Sequence, residues 1–189
     1  MCKKESMAAG QKPSAAPVPQ QKKKQKAPKS QPPAAVPVEA PKTSPSSSFD
    51  LDGWKKTFAS GPAAAMDEFW KTYDKEEWSI WKQVYDYADD NENLESTVEM
   101  VDAFMKGNEG IKDSVFGVMH VAGNLEIEGL WLVKGLDPEI MFGANEDTSW
   151  YSWSQLGPDT TDLVKAAVGS FWSASKDLDG KEIKSTKVY

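Results

Sequence analysis

Cysteine, histidine and long apolar runs are scarce in this 189-residue chain, and each shortage closes a class of function. The one cysteine, Cys2, has no second thiol to pair with, which excludes intramolecular disulfides and cysteine-based zinc sites and fits a reducing compartment. The one histidine, His120, lies in an apolar run and reads as a packed, hydrogen-bonded core residue; nothing in the spacing pairs it with a serine nucleophile. No apolar run approaches the ~20 residues needed to cross a bilayer. The N-terminus also lacks the apolar stretch of a secretion signal, so the expected location is the cytoplasm, with no membrane contact. Neither a phosphate-cradling glycine loop nor a GxSxG elbow is present.

Aromatic residues are missing from the first 48 positions, which hold nine of the twelve prolines and nine lysines against only Glu5 and Glu39. Such a composition cannot bury enough apolar surface to offset the entropy of ordering it, so residues 1–48 are expected to form a disordered, basic Pro/Lys/Ala-rich linker. Its lysines Lys22, Lys23, Lys24 and Lys26 are candidates for weak, salt-sensitive contact with RNA or acidic protein surfaces. Without an aromatic to stack on a base, selective RNA reading is not expected there.

What remains is rich. From Phe49 to Tyr189 come all 20 aromatics, 13 lysines and 27 acids, so an acidic domain with a sizeable core (49–189) follows a basic tail. The spacing predicts a helix opening at Phe49, with Asp50 as cap, Leu51, Trp54 and Phe58 on one face, and Phe49 stapled to Trp54. Gly61-Pro62 ends it and starts a second, whose stripe is Met66, Phe69, Trp70 and Tyr73. After a break at Asp74 to Glu77, Trp78 to Tyr87 offers apolar residues on both parities, as in a strand covered on both faces; a helix through Trp78, Trp81 and Tyr85 is the alternative.

A third helix, from Leu94 to Lys106, carries Leu94, Val98, Val101, Phe104 and Met105 on one side and stops at Gly107. Val115 to Ala122 and Leu125 to Lys134 then read as a hairpin turning tightly at Gly123-Asn124. Counting back from a two-residue loop sets Phe116, Val118 and His120 on the buried face of Leu125, Ile127, Trp131 and Val133, with Glu126 and Glu128 pointing away. Ile140-Met141-Phe142 can dock on the core, and Trp150 to Trp153 looks like a strand. Thr160 or Thr161 can cap a helix whose buried side is Leu163, Val164, Ala167, Val168, Phe171 and Trp172, and Lys181 to Tyr189 can add an edge strand.

Chemistry-bearing clusters are few. Acids are numerous enough for a carboxylate-pair hydrolase, but they flank turns and polar helix faces, where solvated surface is the ordinary role. The run from Asp86 to Glu95 lacks the glycine and ligand spacing of a calcium loop. No catalytic, cofactor or metal residues are therefore assigned, and the chain is not expected to be an enzyme. Exposed aromatics are what partner-binding surfaces use. Trp54, Trp70, Trp131 and Trp172 fall in buried patterns; Trp78, Trp81, Trp150 and Trp153, with the acids Asp86, Asp89 and Asp90, are the candidates for a partner-binding surface.

FDLDGWKKTFAS, then FWKTYDKEEWSIWKQVYDY, IEGLWLVKG and WYSW together resemble the C-terminal domain of eukaryotic translation elongation factor 1-gamma. The likeness runs from about Phe49 to Tyr189, and the Lys/Pro-rich lead-in looks like that family's interdomain linker. It implies an α+β fold, a mainly antiparallel sheet of about five strands with helices packed around it. It also implies a non-catalytic accessory or scaffold role in the elongation factor 1 complex, which reloads elongation factor 1-alpha with GTP, with the complex's subunits as partners. The likeness does not extend to the glutathione-transferase-like domain with which full-length gamma begins, so the chain reads as a fragment or a short separate form. The alternative reading is a free-standing protein- or RNA-interaction module using the basic tail and a surface aromatic and acidic patch.

Overall fold

Gly61 and Pro62 divide the first helical stretch in two. The structure, a computed structural model, describes residues 49–157 and 160–189, so the expected linker and its Lys22, Lys23, Lys24 and Lys26 lie outside the described residues. Helix α1 (Leu51–Ser60) buries Leu51, Trp54 and Phe58 as their spacing requires. Asp50 sits at the cap position in extended backbone, but its side chain makes no capping hydrogen bond. Phe49 sets its ring edge-on against Phe69 and Trp78, at 5.6 and 5.2 Å, and so anchors the chain entry on the next two elements. Helix α2 (Pro62–Thr72) has proline in its first turn, where a missing N–H costs nothing.

The aromatic run after α2 is a strand, β1 (Trp78–Tyr85). It pairs on both sides, with β3 (Ile127–Lys134) and with β4 (Tyr151–Leu156). The sheet continues through β2 (Val115–Ala122) and β6 (Lys181–Val188) to the two-residue β5 (Asp177–Leu178), giving the order β4-β1-β3-β2-β6-β5. Every pairing is antiparallel. The architecture is the expected α+β, with the short β5 added to five longer strands.

Both faces of the sheet are buried, which is why β1 and β2 read apolar at both parities. One face packs α1, α2 and α5 (Asp162–Ser173) against Trp78, Ile80, Phe116, Val118, Leu130 and Leu132. The other packs α3 (Leu94–Gly107) and α4 (Glu139–Ala144) against Val115, Met119, Val121, Ile127, Trp131 and Val133.

The hairpin register corrects the sequence expectation. Val121 pairs with Ile127 and Phe116 with Leu132, so the loop has three residues, Gly123, Asn124 and Leu125, with the Leu125 N–H donating to the Ala122 carbonyl. A slip of one residue moves a whole set of side chains to the other face. Phe116, Val118 and His120 therefore lie with Leu130 and Leu132, opposite the face of Ile127, Trp131 and Val133. Because both faces are apolar, their pattern alone does not choose between the registers.

The third loop position needs left-handed backbone, and Leu125 supplies it at φ 64°. Left-handed backbone costs a residue with a Cβ about 1–2 kcal/mol, and glycine gives back part of that gain through unfolded-state entropy. Leu125→Gly is expected to stabilise the fold by about 0.5–1 kcal/mol, read from the urea midpoint; a loss larger than that would place the value of Leu125 in its side chain.

Two helix faces differ from the pattern. Thr161 caps α5 as expected, its Oγ1 accepting the Val164 N–H at 3.3 Å, yet Leu163 is 83% exposed and Ala167 is exposed. At about 100° per residue Leu163 stands roughly half a turn from Trp172, which faces the sheet. Leu94, the first residue of α3, is exposed at that helix's end, and the buried first-turn position belongs to Thr97.

Candidate functional site

The place where β1 ends and β4 begins carries the exposed aromatics. Tyr85 pairs with Tyr151, and just beyond them the Asp86 N–H donates to the Trp150 carbonyl at 3.1 Å while the Ser152 hydroxyl donates to the Asp86 carboxylate at 2.6 Å. This tie holds the turn after β1 against the 3₁₀ turn Glu146–Trp150 that leads into β4. The rings follow in a chain: Tyr151 meets Tyr85 at 5.3 Å, Tyr85 meets Tyr87 at 6.0 Å, and Tyr87 meets Trp150 at 5.5 Å. Tyr151 is buried, whereas Tyr87 and Trp150 are 39% and 46% exposed. The ring chain thus runs from core to solvent.

Beside it, Trp153 is half-buried with its indole N–H on the Thr148 carbonyl at 3.1 Å, and Phe142 lies edge-on to it at 5.5 Å. Of Ile140-Met141-Phe142, Met141 docks on the core as expected, but Phe142 is 45% exposed and belongs to this surface.

Asn145 holds the loop in place. It is buried; its Nδ2 donates to the Phe104 carbonyl at 3.0 Å, and its Oδ1 accepts from the Asp147 N–H at 3.0 Å. Gly107 leaves room for it, since a Cβ there would come within 2.7 Å of the Asn145 amide nitrogen.

Acids ring these aromatics. Asp86, Asp89 and Asp90 on one turn and Glu146 and Asp147 on the other are exposed. Burial pushes the Tyr85 phenol up, and the carboxylates of Asp90 and Asp147 push it further, so both turns place negative charge near one ring. Burial likewise raises Tyr151. Among the described residues no group of three His, Cys, Asp or Glu side chains converges as metal ligands, so the acids form a field and not a cage.

The predicted partner-binding residues therefore divide. Asp86, Asp89, Asp90, Trp150 and Trp153 come together here. Trp81 is half-buried on the same face of the sheet, its indole N–H donating to the Ser79 hydroxyl at 2.9 Å. Trp78 is 3% exposed in the opposite core, between Phe49 and the sheet, and cannot meet a partner. Tyr87, Phe142 and Asn145 are not among the residues the sequence assigns to a partner-binding surface. The continuation of the strand's alternation through Tyr85 and Tyr87 is the signal that points to the first.

His120 is the packed residue its surroundings require. The Phe171 carbonyl can only accept, so Nε2–H donates to it at 2.9 Å and Nδ1 accepts from the Thr186 hydroxyl at 2.9 Å. Burial holds the imidazole below its ordinary value of 6.5, against the opposing pull of the Phe171 carbonyl and Glu128. For Glu128, burial pushes up, but the ammonium groups of Lys82, at 2.8 Å, and Lys181 outweigh it and leave the carboxyl low.

The histidine sets a pH dependence. With the folded pKa below the unfolded one, the unfolded chain binds more protons in that interval, so the contribution is complete above about 6.5 and is lost as pH falls through the folded value. Urea midpoints are expected to fall between pH 7 and 5.5, and the slope to vanish in His120→Gln; an unchanged slope would assign it to carboxylates.

No helix among the described residues is long and apolar enough to cross a membrane. The family model described as "Elongation factor 1 gamma, conserved domain" matches residues 37–137. The chain is similar to probable elongation factor 1-gamma of Caenorhabditis elegans, 28% identical over 152 residues that cover 77% of this chain and 38% of that protein. Elongation factor 1-gamma of Schizosaccharomyces pombe is 26% identical over 162 residues, covering 82% of this chain and 39% of its own length. Elongation factor 1-gamma 1 of Saccharomyces cerevisiae is 30% identical over 151 residues, covering 75% and 36%. The chain spans under two fifths of the length of these relatives.

Proposed function

Since the chain belongs to the elongation factor 1-gamma family, we propose that it is a non-catalytic accessory subunit of the translation elongation factor 1 complex. In this reading it works in the cytoplasm and supports the machinery that exchanges GDP for GTP on elongation factor 1-alpha by holding a partner, with no nucleotide chemistry of its own. The match over residues 37–137 carries the reading. The surface at Tyr87, Phe142 and Trp150 supports it, because aromatics exposed beside one sign of charge form an interaction surface and not a reaction centre.

Affinity isolation of the whole chain from cytosol tests it. Elongation factor 1 subunits are expected to co-purify, and their absence beside unrelated partners would overturn the reading. Exposed aromatic anchors carry about 2 kcal/mol or more of binding when truncated. The double substitution Tyr87→Ala, Trp150→Ala is therefore expected to weaken capture at least ~10-fold, while folding stability changes by less than ~1 kcal/mol because both rings already face water. Undiminished capture by that variant would move the partner surface elsewhere.

A further inference from the structure

Building on the proposed accessory role, we propose that the outer edge of β4 is a strand-addition site for an extended, lysine-bearing segment of a partner protein. β4 ends the sheet, and among the described residues no strand pairs with its outer side. Native edge strands are normally guarded by lysine, proline or a bulge, since open N–H and C=O groups template another strand. β4 reads Tyr-Ser-Trp-Ser-Gln-Leu, with none of these. The far side of the sheet is guarded by lysines, a covering strand and a bulge. There β6 carries Lys181, Lys184 and Lys187, β5 covers its start, and a register shift bends the ladder at Val121/Ala122.

Charge selects the occupant. The stretches 84–105 and 135–157, which include the turns on either side of the entry to β4, contain eleven acids and no basic residue, and of these Asp102 is paired with Lys187 of β6, which leaves ten for this side. Asp90 and Asp147 both bear on Tyr85, so the two stretches add their fields at the end of the strand where Tyr87 and Trp150 stand open. Lysines on an incoming strand would meet carboxylates with their ammonium groups and aromatic faces with their stems and charge. A nucleic acid or an acidic segment meets repulsion at the same place, and so does the acidic edge of a second copy. Backbone pairing supplies adhesion and the acids supply selection, which is the division of labour in strand-addition recognition.

The test uses the full chain and a blocked ten-residue peptide of alternating threonine and lysine. Two control peptides accompany it: one with glutamate for lysine, and one with every backbone nitrogen methylated, which keeps the charge but has no backbone N–H donors. The first peptide is expected to slow amide exchange in β4 at least ~5-fold, and both controls to bind at least ~10-fold more weakly. Ser152→Lys installs the missing guard within reach of Asp86, and is expected to cost the first peptide ~10-fold while the urea transition stays cooperative. Equal binding of the methylated peptide, protection away from β4, binding of the glutamate peptide, or self-association through β4 would each overturn the proposal. Co-purification with elongation factor 1 subunits without peptide protection of β4 would overturn the edge alone. Peptide protection without co-purification would overturn the accessory role and leave the edge standing.

Discussion

Phe69→Ala is expected to cost about 4 kcal/mol of folding free energy, within the ~3–5 range for truncating a buried aromatic. Phe69 is fully buried on α2, and its ring meets those of Phe49, Trp54, Trp70, Tyr73 and Trp172 at 4.7–5.6 Å. These rings come from α1, α2, α5 and the chain entry, so the hole cannot be closed by moving one element without opening another contact. Close packing leaves little slack for partial collapse. A domain with about 5–15 kcal/mol in total would lose a large fraction of it. Urea unfolding followed by tryptophan emission measures the loss. Phe69→Leu, which keeps most of the volume, is expected to cost less than half as much, and a loss below ~1 kcal/mol for alanine would show that the cluster is not cooperative.

The second large effect comes from adding an atom. Gly117 on β2 stands directly opposite Trp131 on β3, and a Cβ there would lie 2.3 Å from Trp131 Cε3. The indole has little room to retreat. The Gly129 backbone lies so near that a Cβ added there would come within 3.0 Å of Nε1, and Phe104 and Tyr189 stand over the ring at 5.8 and 5.7 Å. Two glycines on neighbouring strands thus form a slot one ring wide. Gly117→Ala is expected to destabilise the protein by about 3 kcal/mol, the upper part of the usual range for overpacking. In the Trp131→Leu background the same substitution should cost at least ~1 kcal/mol less, because the clashing ring is gone. Additive losses in that double-mutant cycle would mean that Gly117 is required for some reason other than room.

Much of this was legible in the order of residues. Gly61-Pro62 marks the helix boundary, Thr160 or Thr161 the start of α5, where Thr161 is the cap, and the mixed parity of Trp78 to Tyr87 a strand covered on both faces, which ends at Tyr85. What escaped depends on contacts between distant segments. Nothing local to Gly123-Asn124 says that Leu125 will turn left-handed, and with both faces apolar the one-residue shift left no misplaced polar residue to reveal it. Trp78 resembled Trp81 in sequence; alternation sends the one under Phe49 and the other to the opposite face. For the candidate site, the acids Asp86, Asp89 and Asp90 and the rings of Trp150 and Trp153 could be named one by one. Their meeting rests on the Tyr85–Tyr151 pairing and on Asn145, whose bond to the Phe104 carbonyl spans 41 positions of chain.

Strand order also bears on how the sheet is made. The three inner strands β1, β3 and β2 lie between Trp78 and Lys134, while β4 and β6, which flank them, come later in the chain. A ribosome building this domain from its N-terminus therefore releases the centre first and the flanks afterwards, and the sheet grows outward in both directions. Until residue 151 emerges, the edge of β1 that β4 will cover, from Ile80 to Tyr85, is open, and β2 stays open on its far side until β6 follows. The nascent chain's longest exposure of apolar strand thus falls between the synthesis of Lys134 and that of Val188, the interval in which a holding chaperone would find the most to bind.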